Sequence, residues 1–341
     1  MIIHSNIVIR DLIIHKINEA GPEFSINPID GIHEMLSDVL INYFFKPFKD
    51  SQKFALHHPV ALERNDVFDV VSTIFDDPDK FTEYSQRLAE HLHSVSSHHN
   101  IKEGDLFIAH FEDCVLDDEI VNAIGLFKAE NKDTFLKVYP EGNSSYNINA
   151  SEGININKLD KGAIIFNTDK QTGYTVLVTD TVNKENARYW LDEFLRATPV
   201  ENDFYQTQSI INLCQDFVQE IIPDEDKTDR IALMNDSISY LKSTDSFNNE
   251  EFKDRVLQEP ELKEAFDDFR DKAIEEQKIS PDEEFDISRQ AIKKTKRYIR
   301  SVIKLDKNFH VYVHGNREHI RKGFDEGKNK NFYTLYFDEE T

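Results

Sequence analysis

The chain has 341 residues, 39% of them apolar and including 25 Phe and 12 Tyr, enough for two domains that each bury a core. Its formal net charge of −24 favours solubility and opposes adhesion to nucleic acid or anionic lipid over most of the surface. No stretch approaches the roughly 18 uninterrupted apolar residues of a membrane span. The two cysteines, Cys114 and Cys214, form no Cys-x-x-Cys, which fits a reduced cytoplasmic setting and leaves a single long-range disulfide open.

In chain order, MIIHSNIVIRDLIIH is apolar but broken by His4, Asn6, Arg10 and Asp11. It has no basic leader or small-residue cleavage site, so a first strand is expected and not a signal peptide. Residues 7 to 18 alternate, and Gly21-Pro22 turns them into a hairpin that continues through Phe24-Ser25-Ile26. Asp30 precedes a helix, Ile32 to Phe45, that Pro47 ends. Asn65 or Asp66 caps a short helix through Phe75, and Pro78 opens another that runs to about Val95.

Leu106 to Phe111, Ile120 to Lys128 and Thr134 to Tyr139 read as three strands with joints too short for a helical crossover, hence a central antiparallel meander. After a polar loop, Gly162 to Asn167 and Tyr174 to Thr179 form two more strands, and Asn183 caps a helix carrying Trp190, Leu191, Phe194 and Leu195. Composition and period both change at Thr198-Pro199. The expected organisation is therefore an α+β domain over 1–198, a mostly antiparallel sheet with flanking helices on one face, followed by an acidic helical domain over 199–341. In the second domain, amphipathic helices begin near Asp203, Ile231 and Pro260. A basic helix starts near Ile287, and terminal β-strands close the chain.

Enzyme motifs are missing. There is no G-x-x-x-x-G-K-S/T, no G-x-G-x-x-G between strand and helix, and no G-x-S-x-G. Of thirteen histidines, His91 and His93 stand about 200° apart on a helix and cannot share a metal, so solvated or capping roles are expected. The run Glu112-Asp113, Asp117-Asp118-Glu119 lacks the Gly hinge of a Ca²⁺ loop and reads as a wet turn at a sheet rim. No cofactor or metal is expected, and the chain reads as non-enzymatic.

Charge is unevenly distributed. Arg289 to Lys330 holds thirteen Lys/Arg against four Asp/Glu, a net of +9, which leaves −33 for everything else. On a helix, Arg289, Lys293, Lys296 and Arg300 fall on one ridge, with Lys294 and Arg297 beside it and Ile292 and Ile299 on an apolar stripe. Lys304, Arg317, Arg321 and Lys322 extend the same basic block. Such a block can neutralise phosphates, with Tyr298 or Tyr312 available for stacking. The alternative is that it pairs internally with the acidic helices of residues 220 to 286.

The segments FEDCVLDDEIVNAIGLFKAENKDTFLKV, KLDKGAIIFN and YWLDEFL, in this order and spacing, resemble the bacterial nucleoid-associated protein family of the NdpA/YejK type. The resemblance spans most of the chain and carries no catalytic residues with it. It implies a cytoplasmic, nucleoid-located protein that associates with DNA or with DNA-bound proteins. Two readings follow. One is a sequence-independent DNA binder working through the basic block. The other is an acidic protein–protein adaptor recruited through a DNA-bound partner. No membrane partner is expected, and a homodimer is left open.

Overall fold

The computed structural model of the protein describes residues 2–3, 7–49, 51–96, 102–142, 145–181, 189–223, 227–276, 281–295, 302–305, 309–312, 320–337 and 339. The fold is α+β, and the chain divides into two units, Met1–Val200 and Glu201–Thr341.

In the first unit, β1 (Ile2–Ile3), β2 (Val8–Asn18) and β3 (Gly21–Glu23) precede helix α1 (Glu34–Phe45). Strand β4 (Lys53–Leu56) and helices α2 (Asp66–Asp76) and α3 (Phe81–Val95) come next. The long strands β5 (Gly104–Leu116) and β6 (Glu119–Ala129) follow, then β7 (Asp133–Glu141), β8 (Ser145–Gly153), β9 (Lys161–Phe166), β10 (Thr175–Asp180) and β11 (Ala197–Pro199). The main sheet runs β11-β4-β10-β9-β6-β5-β2-β3, with β1 beside β5, and every pairing is antiparallel.

Both faces of this sheet are covered, which corrects the expectation of helices on one face. Leu106, Ile108, Ile124, Leu126 and Ile165 pack with α2, α3 and the π-helical turn Tyr189–Leu195. Their neighbours Phe107, Ala109, Phe111, Phe127 and Phe166 pack with Phe44 and Phe45 of α1. Side chains alternate across a strand, so a sheet buried on both sides must be apolar at consecutive positions. Leu106-Phe107-Ile108-Ala109 and Ala163-Ile164-Ile165-Phe166 are such runs. Phe44 stacks on Phe127 with ring centroids 4.1 Å apart. Gly125 makes room beside that stack, because a Cβ there would lie 2.6 Å from the Phe111 ring and 2.4 Å from Phe127.

The central meander also needs correcting. β5 and β6 are joined by the turn Asp117-Asp118, with both residues at positive φ (49° and 70°), the geometry that suits a two-residue hairpin. The third strand, however, leaves the sheet. β6 pairs with β9, while β7 pairs with β8 alone as a separate two-stranded hairpin, exposed along its length. The physical reason lies in composition. KGAIIF of β9 can be buried on both faces, whereas TFLKVYPE of β7 is interrupted by Lys137 and Glu141.

Side-chain caps set the starts of α1 and α2. Asn65 accepts from the Phe68 amide at 3.0 Å, and its amide nitrogen donates to the carbonyls of His57, Leu195 and Arg196, tying α2 to the end of the unit. α1 begins two residues later than its periodicity suggests, because the His33 ring and not Asp30 caps it, accepting from the Leu36 amide.

The second unit contains α4 (Asp203–Ile221), α5 (Lys227–Ser243), β12 (Ser246–Asn248), α6 (Asn249–Phe252), α7 (Pro260–Glu275), β13 (Glu284–Asp286) and α8 (Arg289–Thr295). Ile210, Cys214, Phe217, Leu241, Phe252, Phe266 and Ile292 form its core. The short β12–β13 ladder, within a stretch whose period reads as helix, places Phe247 on Phe285 at 4.9 Å. Two further hairpins follow, β14 (Val302–Leu305) with β15 (Phe309–Tyr312) and β16 (Ile320–Asp325) with β17 (Lys330–Leu335).

Candidate nucleic-acid interface

The basic block begins on α8. Ile292 and Ala291 are buried against the helical core, as their stripe requires, which turns Lys293 outward to an exposed position. Lys294 is half-buried, with its ammonium 5.6 Å from the centre of the Phe204 ring. Arg289 is differently employed. Its guanidinium donates to the carbonyls of Leu241 (3.0 Å), Lys242 (2.8 Å) and Thr244 (2.8 Å) and to Asp245 Oδ1 (2.8 Å). It thus caps the C-terminal end of α5, where unpaired carbonyls and the helix dipole favour a cation.

Lys296, Arg297, Tyr298, Ile299, Arg300 and Arg317 lie outside the described residues. Lys304 stands opposite His310 on β14–β15, and Arg321 opposite Thr334 on β16–β17. Lys322, also on β16, is exposed and opposite Tyr333.

The β16–β17 hairpin is the part of the block with the clearest geometry. Residues 320–335 carry Arg321, Lys322, Lys328 and Lys330 against Asp325 and Glu326. Lys322 shares a face with Phe324, which is 53% exposed, and Lys330 shares the other with Phe332, 47% exposed. Gly323 lets the Phe332 ring lie across the ribbon, since a Cβ there would come within 2.4 Å of it. Lys328 pairs with Asp325 at 3.5 Å across the turn. The ribbon therefore offers cations beside open aromatic faces, the two components used in backbone-tracking and base-stacking contacts. The sequence signal for these aromatics was present in Phe324 and Phe332, but only the register shows which cation each accompanies.

Elsewhere the buried titratable groups of the described residues are built into the scaffold. Among the described residues, no three His, Cys, Asp or Glu side chains are grouped to hold a metal ion. Cys114 and Cys214 are buried free thiols, each pushed up to about 12 chiefly by burial, which makes both poor nucleophiles. His15 resembles half of a catalytic pair, with Nε2 2.9 Å from Ser85 Oγ. The Ser25 amide donates to its Nδ1, however, so Nε2 carries the proton and donates to Ser85, whose hydroxyl in turn donates to the Thr82 carbonyl. That polarity is the reverse of what an activated serine needs. Burial holds His15 at about 4.

A buried ionic cluster gathers the strings that carry the resemblance. Lys128 and Lys161 face each other across β6 and β9 with fully inaccessible side chains. Glu130 lies between them, 3.1 Å from Lys128 Nζ and 3.6 Å from Lys161 Nζ. Tyr189 donates to Glu130 at 3.0 Å, and Asp180 receives Lys161 at 3.1 Å. Burial lowers the Lys128 ammonium, and the charge on Glu130 opposes that shift. Asp160 accepts the backbone N–H groups of Glu130 and Asn131, which fixes the chain as it leaves β6. FKAEN, KLDKG and the start of YWLDEFL thus converge on one polar knot inside the sheet.

A profile of the family described as nucleoid-associated protein YejK matches residues 13–331, nearly the whole chain. The chain belongs to this nucleoid-associated family. No individual curated protein matches it. The match covers the sheet from the middle of β2 onward, the ionic cluster and the basic block into β17, so family membership applies to both units. No helix among the described residues is long and apolar enough to cross a membrane.

Proposed function

We propose that this nucleoid-associated chain is a cytoplasmic, non-enzymatic protein that binds DNA through phosphate contacts made by the C-terminal basic block, without reading base sequence. The observation that carries this reading is the β16–β17 ribbon, where Lys322 and Lys330 stand beside exposed Phe324 and Phe332 in a chain that is otherwise strongly acidic. Lys293 adds an exposed cation on α8, with Lys294, Lys296, Arg297, Arg300, Lys304, Arg317 and Arg321 completing the block in sequence. Arg289 contributes by holding α8 to the end of α5.

The test is DNA binding by the purified chain across a salt series. With about five phosphates neutralised, log K falls against log salt with a slope near −4.5. Charge reversal at Lys293, Lys296, Arg300 and Lys322 reduces both the affinity and the slope. A flat salt response, or binding untouched by the reversal, rejects the reading.

A second reading, an acidic adaptor held at the nucleoid by a DNA-bound protein, is favoured by the −33 carried outside the basic block. In that case the purified chain fails to shift DNA, while its partner is recovered after nuclease treatment.

A further inference from the structure

The β7–β8 hairpin is an exposed ribbon with one face apolar along its middle, while the other mixes Phe135 and Tyr139 with Lys137 and the polar residues Asn147, Asn149 and Ser151. In the register Leu136↔Ala150, Val138↔Ile148 and Pro140↔Tyr146, these six side chains share one side. Leu136 is 70% exposed, Val138 61%, Tyr146 78% and Ile148 60%. Isolated two-stranded hairpins are marginal in water, and exposing a continuous apolar strip costs solubility. The strip therefore calls for a cover.

We propose that a second copy of this chain covers it, the two hairpins packing face to face about a two-fold axis that lies between them and runs perpendicular to the strands.

Three observations select this occupant. First, the face is self-complementary. The large Leu136 sits diagonally across from the large Tyr146, and the small Ala150 diagonally across from Pro140. The two-fold sets Leu136 over the second copy's Pro140, and Tyr146 over its Ala150. Val138 and Ile148 then meet their own counterparts. A self-complementary patch is what an isologous dimer uses.

Second, charge disfavours the other occupants. Residues 133–153 carry Asp133, Glu141 and Glu152 against Lys137 alone, so the ribbon repels phosphate. Its apolar strip offers no carboxylate to a basic partner, since Glu152 lies only at the base, beside Thr134. Antiparallel arms also point two bodies of net charge −24 in opposite directions.

Third, the area is of the right order. Side chains of this size and exposure present on the order of 500 Å². Two such faces bury about 1,000 Å² in total, near the lower limit for a specific interface.

Sedimentation of the full chain at micromolar concentration tests the proposal. The expected result is a reversible dimer that tightens as salt rises, because salt screens the repulsion between bodies and leaves apolar contact intact. Leu136→Asp with Ile148→Asp weakens it at least tenfold, while Lys137→Asp on the opposite face does not. Circular dichroism and melting temperature check that both variants fold. A short bis-maleimide crosslinks Val138→Cys to itself but not Lys137→Cys, the native cysteines being buried. A monomeric wild-type chain, or a dimer that survives the double substitution, overturns the proposal. So does a dimer in which Val138→Cys fails to crosslink.

Discussion

Single residues in this protein gain their meaning from what surrounds them. His15 is an internal histidine on a mid-strand position, and burial holds it at about 4 against an ordinary value of 6.5. Its folded pKa lies below the unfolded one, so the unfolded chain binds more protons between those values. Stability is therefore lost as pH falls from about 6.5 towards 4, by up to about 3 kcal/mol from this residue. Urea unfolding of His15→Gln between pH 7 and 4.5 should show a shallower acid loss than the wild type. Glu130 is the shared anion of two buried lysines. Glu130→Gln should cost about 3–5 kcal/mol, because Lys128 and Lys161 then face each other without it. Lys128→Met should cost less, since Lys161 still neutralises Glu130. Equal melting temperatures for the two variants would show that the cluster is not organised around Glu130.

At the level of elements, two strands of similar sequence meet opposite fates. β6 lies in the middle of the sheet, and β7, three residues further on, is exposed along its length. Leu126 is fully buried among α2, α3 and the sheet, whereas Leu136 is 70% exposed. Leu126→Ala should destabilise the chain by about 2–5 kcal/mol, and Leu136→Ala by less than about 0.5 kcal/mol in the monomer. Denaturant titration at low protein concentration makes the comparison directly. The distinction was partly legible. AIGLF is apolar without interruption, whereas in TFLKVY Lys137 stands between Phe135 and Tyr139 on one face, so only the first is suited to lie between two helical layers. The alternation in β7 says that one face is apolar without saying what covers it.

For the whole molecule, two ribbons of opposite character stand in one acidic chain. β16–β17 carries net positive charge with open aromatics, and β7–β8 carries net negative charge with an apolar strip. The salt responses expected of them have opposite signs. DNA affinity falls with salt as counterions are released no longer at advantage, while self-association rises as repulsion between bodies is screened. Measuring both in the same buffers separates the two surfaces, and a common sign would count against assigning them to separate ribbons.

By itself the sequence determined the α+β class, the helical part after residue 200, a cap for α2 at Asn65 or Asp66, a helix start near Pro78, and the concentration of positive charge between Arg289 and Lys330. These follow from local period, capping chemistry and composition, which act over a few residues. The tertiary structure alone decided that β9 and not β7 neighbours β6, that helices cover both faces of the sheet, and that Arg289 caps α5. It also decided that Lys128 and Lys161, thirty-three residues apart, share Glu130. Each of these depends on strand register or on a long-range contact. A side chain's partner across a sheet is set by which strands find the most burial together, and no local pattern records that outcome.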